Sequence, residues 1–121
     1  MQSYGMHILA DKDIPDVKRS FSAFGQVRLF DGRNLCKSDI GRSEILLVRA
    51  ITQVDERLIG DSNIKFVGSA TAGIDHVDID YLREASIEFA SAAGTNARAV
   101  AEYVINCVYL YAHMRQRLRA S

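Results

Sequence analysis

The chain of 121 residues has no tryptophan, a single proline and only two cysteines, and its fifteen basic and fifteen acidic residues cancel. Cys36 and Cys107 form neither a metal-spaced set nor a disulfide framework. Cys107 lies inside an apolar helical run and reads as a buried thiol. Charge neutrality excludes the broad positive field of a nucleic-acid binder. An anionic ligand is therefore held by local groups, not drawn in by overall steering. No cationic start precedes an apolar run, so no signal peptide is expected. Long hydrophobic runs are also lacking: the most apolar stretch, 97–114, is interrupted by Arg98, Glu102, Asn106 and His113, which argues against a membrane span. A reducing cytoplasm is the expected compartment, with neither nucleic acid nor membrane as partner.

Apolar residues make up 48% of the chain and charged residues 25%, an ordinary globular composition. Met6 to Ala10 reads as a strand ended by Asp11-Lys12-Asp13. Pro15 suits the first turn of a helix whose apolar stripe is Val17, Phe21 and Phe24, with Gly25 as its stop. Gln26 to Phe30 is a second strand, and Asn34 to Glu44 a loop with one helical turn. Ile45-Leu46-Leu47-Val48 is continuously apolar, the mark of a strand covered on both faces. A short helix over Asp55 to Ile59, a strand over Ile64 to Val67, a helix over Asp78 to Ala85 and a strand over Ile87 to Ala90 follow. Gly68 to His76 is a small-residue loop, and Asp78 and Asp80 suit a helix N-terminal dipole. Asn96 is a fair N-cap for the last helix.

Strands alternating with helices predict a parallel sheet with helices on both faces. In such sheets ligands gather at the carboxyl ends of the strands. The last helix, Ala97 to Met114, carries its polar residues at offsets of four, eight and fifteen from Arg98, which puts them on one narrow stripe. Val100, Val104 and Val108 then pack on the sheet, while Tyr103, Leu110 and Tyr111 need cover. Either the helix is central to the core, or it leaves an apolar patch that points to a partner surface.

The stretch from Phe66 to Asp78, Phe-Val-Gly-Ser-Ala-Thr-Ala-Gly-Ile-Asp-His-Val-Asp, is the most informative for chemistry. Small side chains let a ligand approach the backbone, and N–H groups in such a turn can cradle a carboxylate or phosphate. Thr71 can add a hydroxyl donor. Arg49, just after a strand, suits either an anionic group or a surface ion pair. His76 beside Asp75 reads as structural, and Asp11 with Asp13 as a solvated acidic turn.

The segments Ile8 to Pro15, Leu47 to Thr52, Lys65 to Asp78 and Gly94 to Val104 resemble the NAD-dependent D-2-hydroxyacid dehydrogenases. Within that family they are most similar to the branch that oxidises 4-phosphoerythronate on the way to pyridoxal phosphate. The resemblance implies a flavodoxin-like substrate domain, an oxidoreductase activity and a small anionic substrate resembling 4-phosphoerythronate. It divides the chain into an extension over 1–5, a substrate-binding α/β domain over 6–95 and an apolar helix over 96–121 leading to a Rossmann domain. Thr71 matches a substrate-contacting threonine of the family, and backbone groups at Ala72 and Gly73 match those that meet the carboxylate. Ala50 stands where the family has a substrate-contacting serine, so one donor is missing.

The family's glycine-rich cofactor loop and its catalytic arginine, glutamate and histidine match no residue here. The expectation is a chain truncated before the cofactor domain, with no catalytic residue and no metal, unable to bind NAD alone and inactive alone. It would bind substrate, and it would form a homo-oligomer or dock through its last helix. A free-standing flavodoxin-like regulatory module is the alternative. A receiver of that kind needs an acceptor aspartate at the end of the third strand, where Arg49 and Ala50 stand.

Overall fold

The computed structural model describes residues 5–71, 74–91 and 97–120, with the side chains of the last helix described over 106–118. Five strands form one parallel sheet in the order β2-β1-β3-β4-β5: β1 Met6–Asp11, β2 Gly25–Phe30, β3 Ile45–Val48, β4 Phe66–Ser69 and β5 Glu88–Ser91. Helices α1 Val17–Phe21, α2 Glu56–Ile59, α3 Ile79–Glu84 and α4 Ala97–Ala120 connect and cover it. The parallel sheet is the one expected from the alternating pattern, and its order is that of the flavodoxin-like fold the resemblance implies.

The period-two alternation of the strands sorts the apolar side chains into two cores. Ile8, Ala10, Ile45, Leu47 and Phe66 face α1 and α4, together with Val17, Phe21, Val108 and Ala112. Leu9, Leu46, Val48 and Val67 face the other way, onto Leu58, Ile59, Val77 and Leu82 of α2, α3 and their flanks. The run Ile45 to Val48 is buried throughout because it serves both cores.

Gly25 opens β2 and does more than stop a helix. Its φ is +155°, and a Cβ there would lie 1.9 Å from the Met6 carbonyl oxygen, so only glycine lets β2 start against β1. The first helix is shorter than expected: Asp16 precedes it in a left-handed conformation and Ser22–Phe24 is a 3₁₀ turn. Strand β4 runs through Gly68 and Ser69, which the small-residue pattern had assigned to the loop. Asp55 caps α2 through Leu58 N–H at 3.1 Å, and Asp78 caps α3 through Tyr81 N–H at 3.0 Å.

Helix α4 continues past Met114 to Ala120 and packs beside β4 and β5. Val108 and Ala112 are buried, Tyr111 lies against Phe66, and the Tyr109 ring meets Phe24 and His113. Arg115 pairs with Glu44. Of the two outcomes left open for this helix, its described second half takes the one with an open apolar patch, wider than a single polar stripe. Leu110 is 65% and Leu118 72% exposed, with Tyr109 and Met114 also open, because the sheet is covered by one flank of the helix only. Asn96, Val100, Tyr103 and Val104 lie outside the residues or side chains described. Cys107 is half-buried against the core and not enclosed, whereas Cys36 is exposed. No described helix is long and apolar enough to cross a membrane.

Candidate functional site

Strand order reverses between β1 and β3: β1 leads outward to β2, β3 outward to β4. The crevice beyond their carboxyl ends is where sheets of this kind take ligands. Asp11 ends β1 and is fully buried, and Arg49 follows β3. Arg49 Nε approaches Asp11 Oδ2 at 3.1 Å, without the alignment of a hydrogen bond. Arg49 Nη2 donates to Asp13 Oδ2 at 3.2 Å, and Asp13 N–H donates to Asp11 Oδ1 at 2.8 Å. Asp11 is therefore a buried ion-pair partner and not the solvated turn that its sequence suggested. A carboxylate taken out of water needs such partners.

Gly32, after β2, closes over this pair. A Cβ there would sit 2.4 Å from Asp11 Oδ2 and 2.9 Å from Ile51 Cδ1. Thr52 is buried and donates from Oγ1 to the Gly32 carbonyl at 3.1 Å, tying the β2 and β3 loops together. Arg49 is 27% exposed, and its Nη1 takes no part in the contacts with the two acids. Ala50 is exposed beside it.

The β4 loop forms the other wall. Ala70 N–H donates to the Val48 carbonyl at 2.9 Å, carrying the sheet's pairing one step past β4. Ser69 is fully buried, and its Oγ lies 3.1 Å from His76 Nε2 and donates to the Thr71 carbonyl at 3.2 Å. A hydroxyl has one proton. Donated to Thr71, it leaves Oγ to accept from an Nε2–H tautomer of His76. Val54 and Val77 form a bridge, and Val54 N–H meets the His76 carbonyl at 2.7 Å, so both ends of the loop are anchored. Burial lowers the His76 pKa below its ordinary value and outweighs the opposing pull of Asp75. The neutral, structural reading of His76 fits this geometry.

The edge thus brings together Arg49, Ala50 and Thr71, three of the five residues expected to meet a ligand. Ala72 and Gly73 lie outside the described residues. Sequence reasoning missed Ser69 as the buried post of the loop. It also missed Ser91, whose Oγ at the neighbouring end of β5 is buried with no hydrogen-bond partner among the described residues. The signal available for both was the position of a serine at the carboxyl end of a strand.

Among the described residues no group of His, Cys, Asp and Glu is arranged to hold a metal. A dinucleotide does not fit the β1–α1 turn either. A pyrophosphate needs open backbone N–H groups at a helix start. Here the turn presents the carboxylates of Asp11 and Asp13, and the Asp13 N–H is already committed.

A family model for the catalytic domain of D-isomer specific 2-hydroxyacid dehydrogenases matches residues 4–118. An erythronate-4-phosphate dehydrogenase of Marinomonas sp. is 47% identical over 107 residues, covering 88% of this chain and 28% of its own length. The enzyme of that name from Azotobacter vinelandii is 49% identical over 100 residues, covering 83% and 26%. The chain thus spans little more than a quarter of these curated relatives. Solved structures show the same fold at lower identity. The TT0316 protein of Thermus thermophilus aligns with a TM-score of 0.63 at 21% identity, over 74% of this chain and 31% of its own. A Polaromonas protein described as a D-isomer specific 2-hydroxyacid dehydrogenase, NAD-binding, gives 0.60 at 16%, over 70% and 29%. With the matched domain lying over the whole sheet, the chain belongs to the D-isomer specific 2-hydroxyacid dehydrogenase family.

Proposed function

We propose that this chain is the substrate-binding part of a dehydrogenase that oxidises 4-phosphoerythronate with NAD, a step toward pyridoxal phosphate. Residues 6–95 form the substrate domain and 96–121 the helix that links it to the cofactor domain. Thr71 Oγ1 and the amides of Ala72 and Gly73 meet the carboxylate end of the substrate. Arg49 is held by Asp11 and Asp13 on one side and offers Nη1 to the acid. Ala50 faces the same crevice and contributes no donor. The pyrophosphate of NAD belongs outside the β1–α1 turn, because Asp11 and Asp13 occupy the place where it would need N–H groups.

One observation carries this reading. The loop that begins at Thr71 is anchored at both ends, by Ser69 and His76 and by the Val54 bridge, at the carboxyl edge beside Arg49. Fixed flanks at Thr71 and His76 reduce the ordering energy that a small ligand must supply.

Titration calorimetry of the chain with 4-phospho-D-erythronate tests it. Thr71→Val keeps the shape and removes the hydroxyl, so binding weakens by about 0.5–1.5 kcal/mol, the net worth of one hydrogen bond. Ala50→Ser restores a donor and tightens binding by a similar amount. Equal affinity in wild type and Thr71→Val overturns the assignment of the loop. Addition of NAD to the substrate-bound chain yields no NADH; measurable turnover overturns the placement of the cofactor elsewhere.

A further inference from the structure

The opposite, amino-terminal edge of the sheet carries a groove of about 630 Å³ lined by His7 of β1, Gly25 at the start of β2, Arg28, Lys18 of α1 and the turn Gly41-Arg42. We propose that this groove is a second anion site, one that takes a small, doubly charged phosphate-class ligand.

The charge there is concentrated, and Arg28 has a carboxylate near it. The chain is neutral as a whole, yet Lys18, Arg28, Arg42 and His7 all line one concave surface. Lys18, Arg42 and His7 are exposed, and among the described residues no side chain pairs with theirs. Two acids border the groove and both are occupied. Glu44 is taken by Arg115. Asp39 accepts from Cys36 N–H at 3.0 Å and from Cys36 Sγ at 3.2 Å, although Arg28 is near enough to favour its charged form.

Arg28 is preorganised. Its Nη2 donates to the Asp39 carbonyl at 2.6 Å and contacts the Ile40 carbonyl at 3.3 Å and Ser43 Oγ at 3.4 Å. Carbonyls fix the guanidinium without neutralising it. Gly41 bends the chain around it at φ +55°, with no side chain to narrow the groove. A fixed arginine flanked by two free cations suits phosphate oxygens, which accept charge-assisted hydrogen bonds in the geometry guanidinium offers.

The groove lies across the sheet from Thr71 and Arg49, so it is independent of the proposed substrate edge. The test is a titration of the chain with inorganic phosphate and with pyrophosphate at constant ionic strength, following amide chemical shifts. Saturable shifts at Gly25, Gly41 and Arg42 are expected, with pyrophosphate the tighter ligand. Arg42→Gln and Lys18→Gln, both at exposed positions, each weaken the fitted affinity about threefold or more, a loss on the scale of one charged contact. The double variant loses saturation while its remaining spectrum is unchanged. Shifts that rise linearly without saturation, that are indifferent to both substitutions, or that centre on Thr71 instead of Gly41, overturn the site. Loss of 4-phosphoerythronate binding in Thr71→Val leaves these shifts in place, so the two proposals fail separately.

Discussion

Gly32 and His76 are single positions whose surroundings set what they do: one has no room for a side chain, the other holds a half-buried imidazole. Gly32 has no room for a methyl group, because its place is taken by the Asp11 carboxylate and the Ile51 side chain. Gly32→Ala must push apart the Asp11–Arg49 pair or shift the β2 loop. Overpacking of that kind costs about 1–3 kcal/mol, which a lowered urea midpoint with unchanged slope would report. An unchanged midpoint would mean the loop yields freely. His76 makes a different prediction. Its pKa is lowered in the fold by burial, so the unfolded chain takes up the proton first as pH falls. Stability from this residue is complete above the ordinary histidine value and is lost progressively as pH drops below it toward the folded value. Asp31 and Asp39, with pKa values lowered chiefly by backbone N–H donors, lose their contribution as pH falls from the ordinary carboxylate value toward the lower folded ones. The two windows separate. His76→Gln flattens the upper one in a series of chemical-unfolding measurements and leaves the acid limb intact; a slope unchanged by the substitution would show that another group titrates there.

At the level of elements, the helix starts at Asp55 and Asp78 and the central strands were legible in the sequence because their causes are local, although neither aspartate was read as a cap. Asp55 and Asp78 each precede a helix start and each closes on an N–H three residues ahead. Asp78→Ala removes the α3 cap and costs about 1 kcal/mol, measurable as a drop in thermal midpoint, while Asp80→Ala, exposed within the first turn, costs less. Equal effects would show that the dipole, not the cap, dominates. Elements whose boundaries depend on distant partners were not legible. Gly68 and Ser69 read as loop from composition. They are strand because Leu47 and Val48 on one side and Ala90 and Ser91 on the other pair with them. Asp11 read as solvent-facing because its partner, Arg49, is remote in sequence and reaches it only after β1 and β3 align. Along α4 the polar stripe was read from periodicity, and of its four residues only Asn106 and His113 lie among the described side chains. The sheet covers so little of the rest that Leu110, Met114 and Leu118 stand open, a consequence of the sheet's width that no helical periodicity contains.

At the scale of the molecule, one sheet serves two cores, and this decides how the chain unfolds. Leu46 and Leu47 are adjacent in β3, both almost wholly buried, and they point into opposite cores. Either residue truncated to alanine loses its transfer energy and leaves a cavity, about 2–5 kcal/mol in each case. A domain of this size holds about 5–15 kcal/mol in total, so either change removes a large fraction of the stability. If the cores were independent, Leu46→Ala would loosen the α2 and α3 side alone, and Leu47→Ala the α1 and α4 side alone. They share β1, β3 and β4, and a strand cannot leave one core while keeping its place in the other. Loss of either core therefore strips the hydrogen-bonded ladder from both. Each variant is expected to unfold in a single transition, with near-ultraviolet and far-ultraviolet dichroism coincident and the denaturant slope of the wild type. Two separated transitions in either variant would show that one helical layer detaches while the sheet persists, and the substrate edge and the amino-terminal groove would then lose their common frame at different denaturant concentrations.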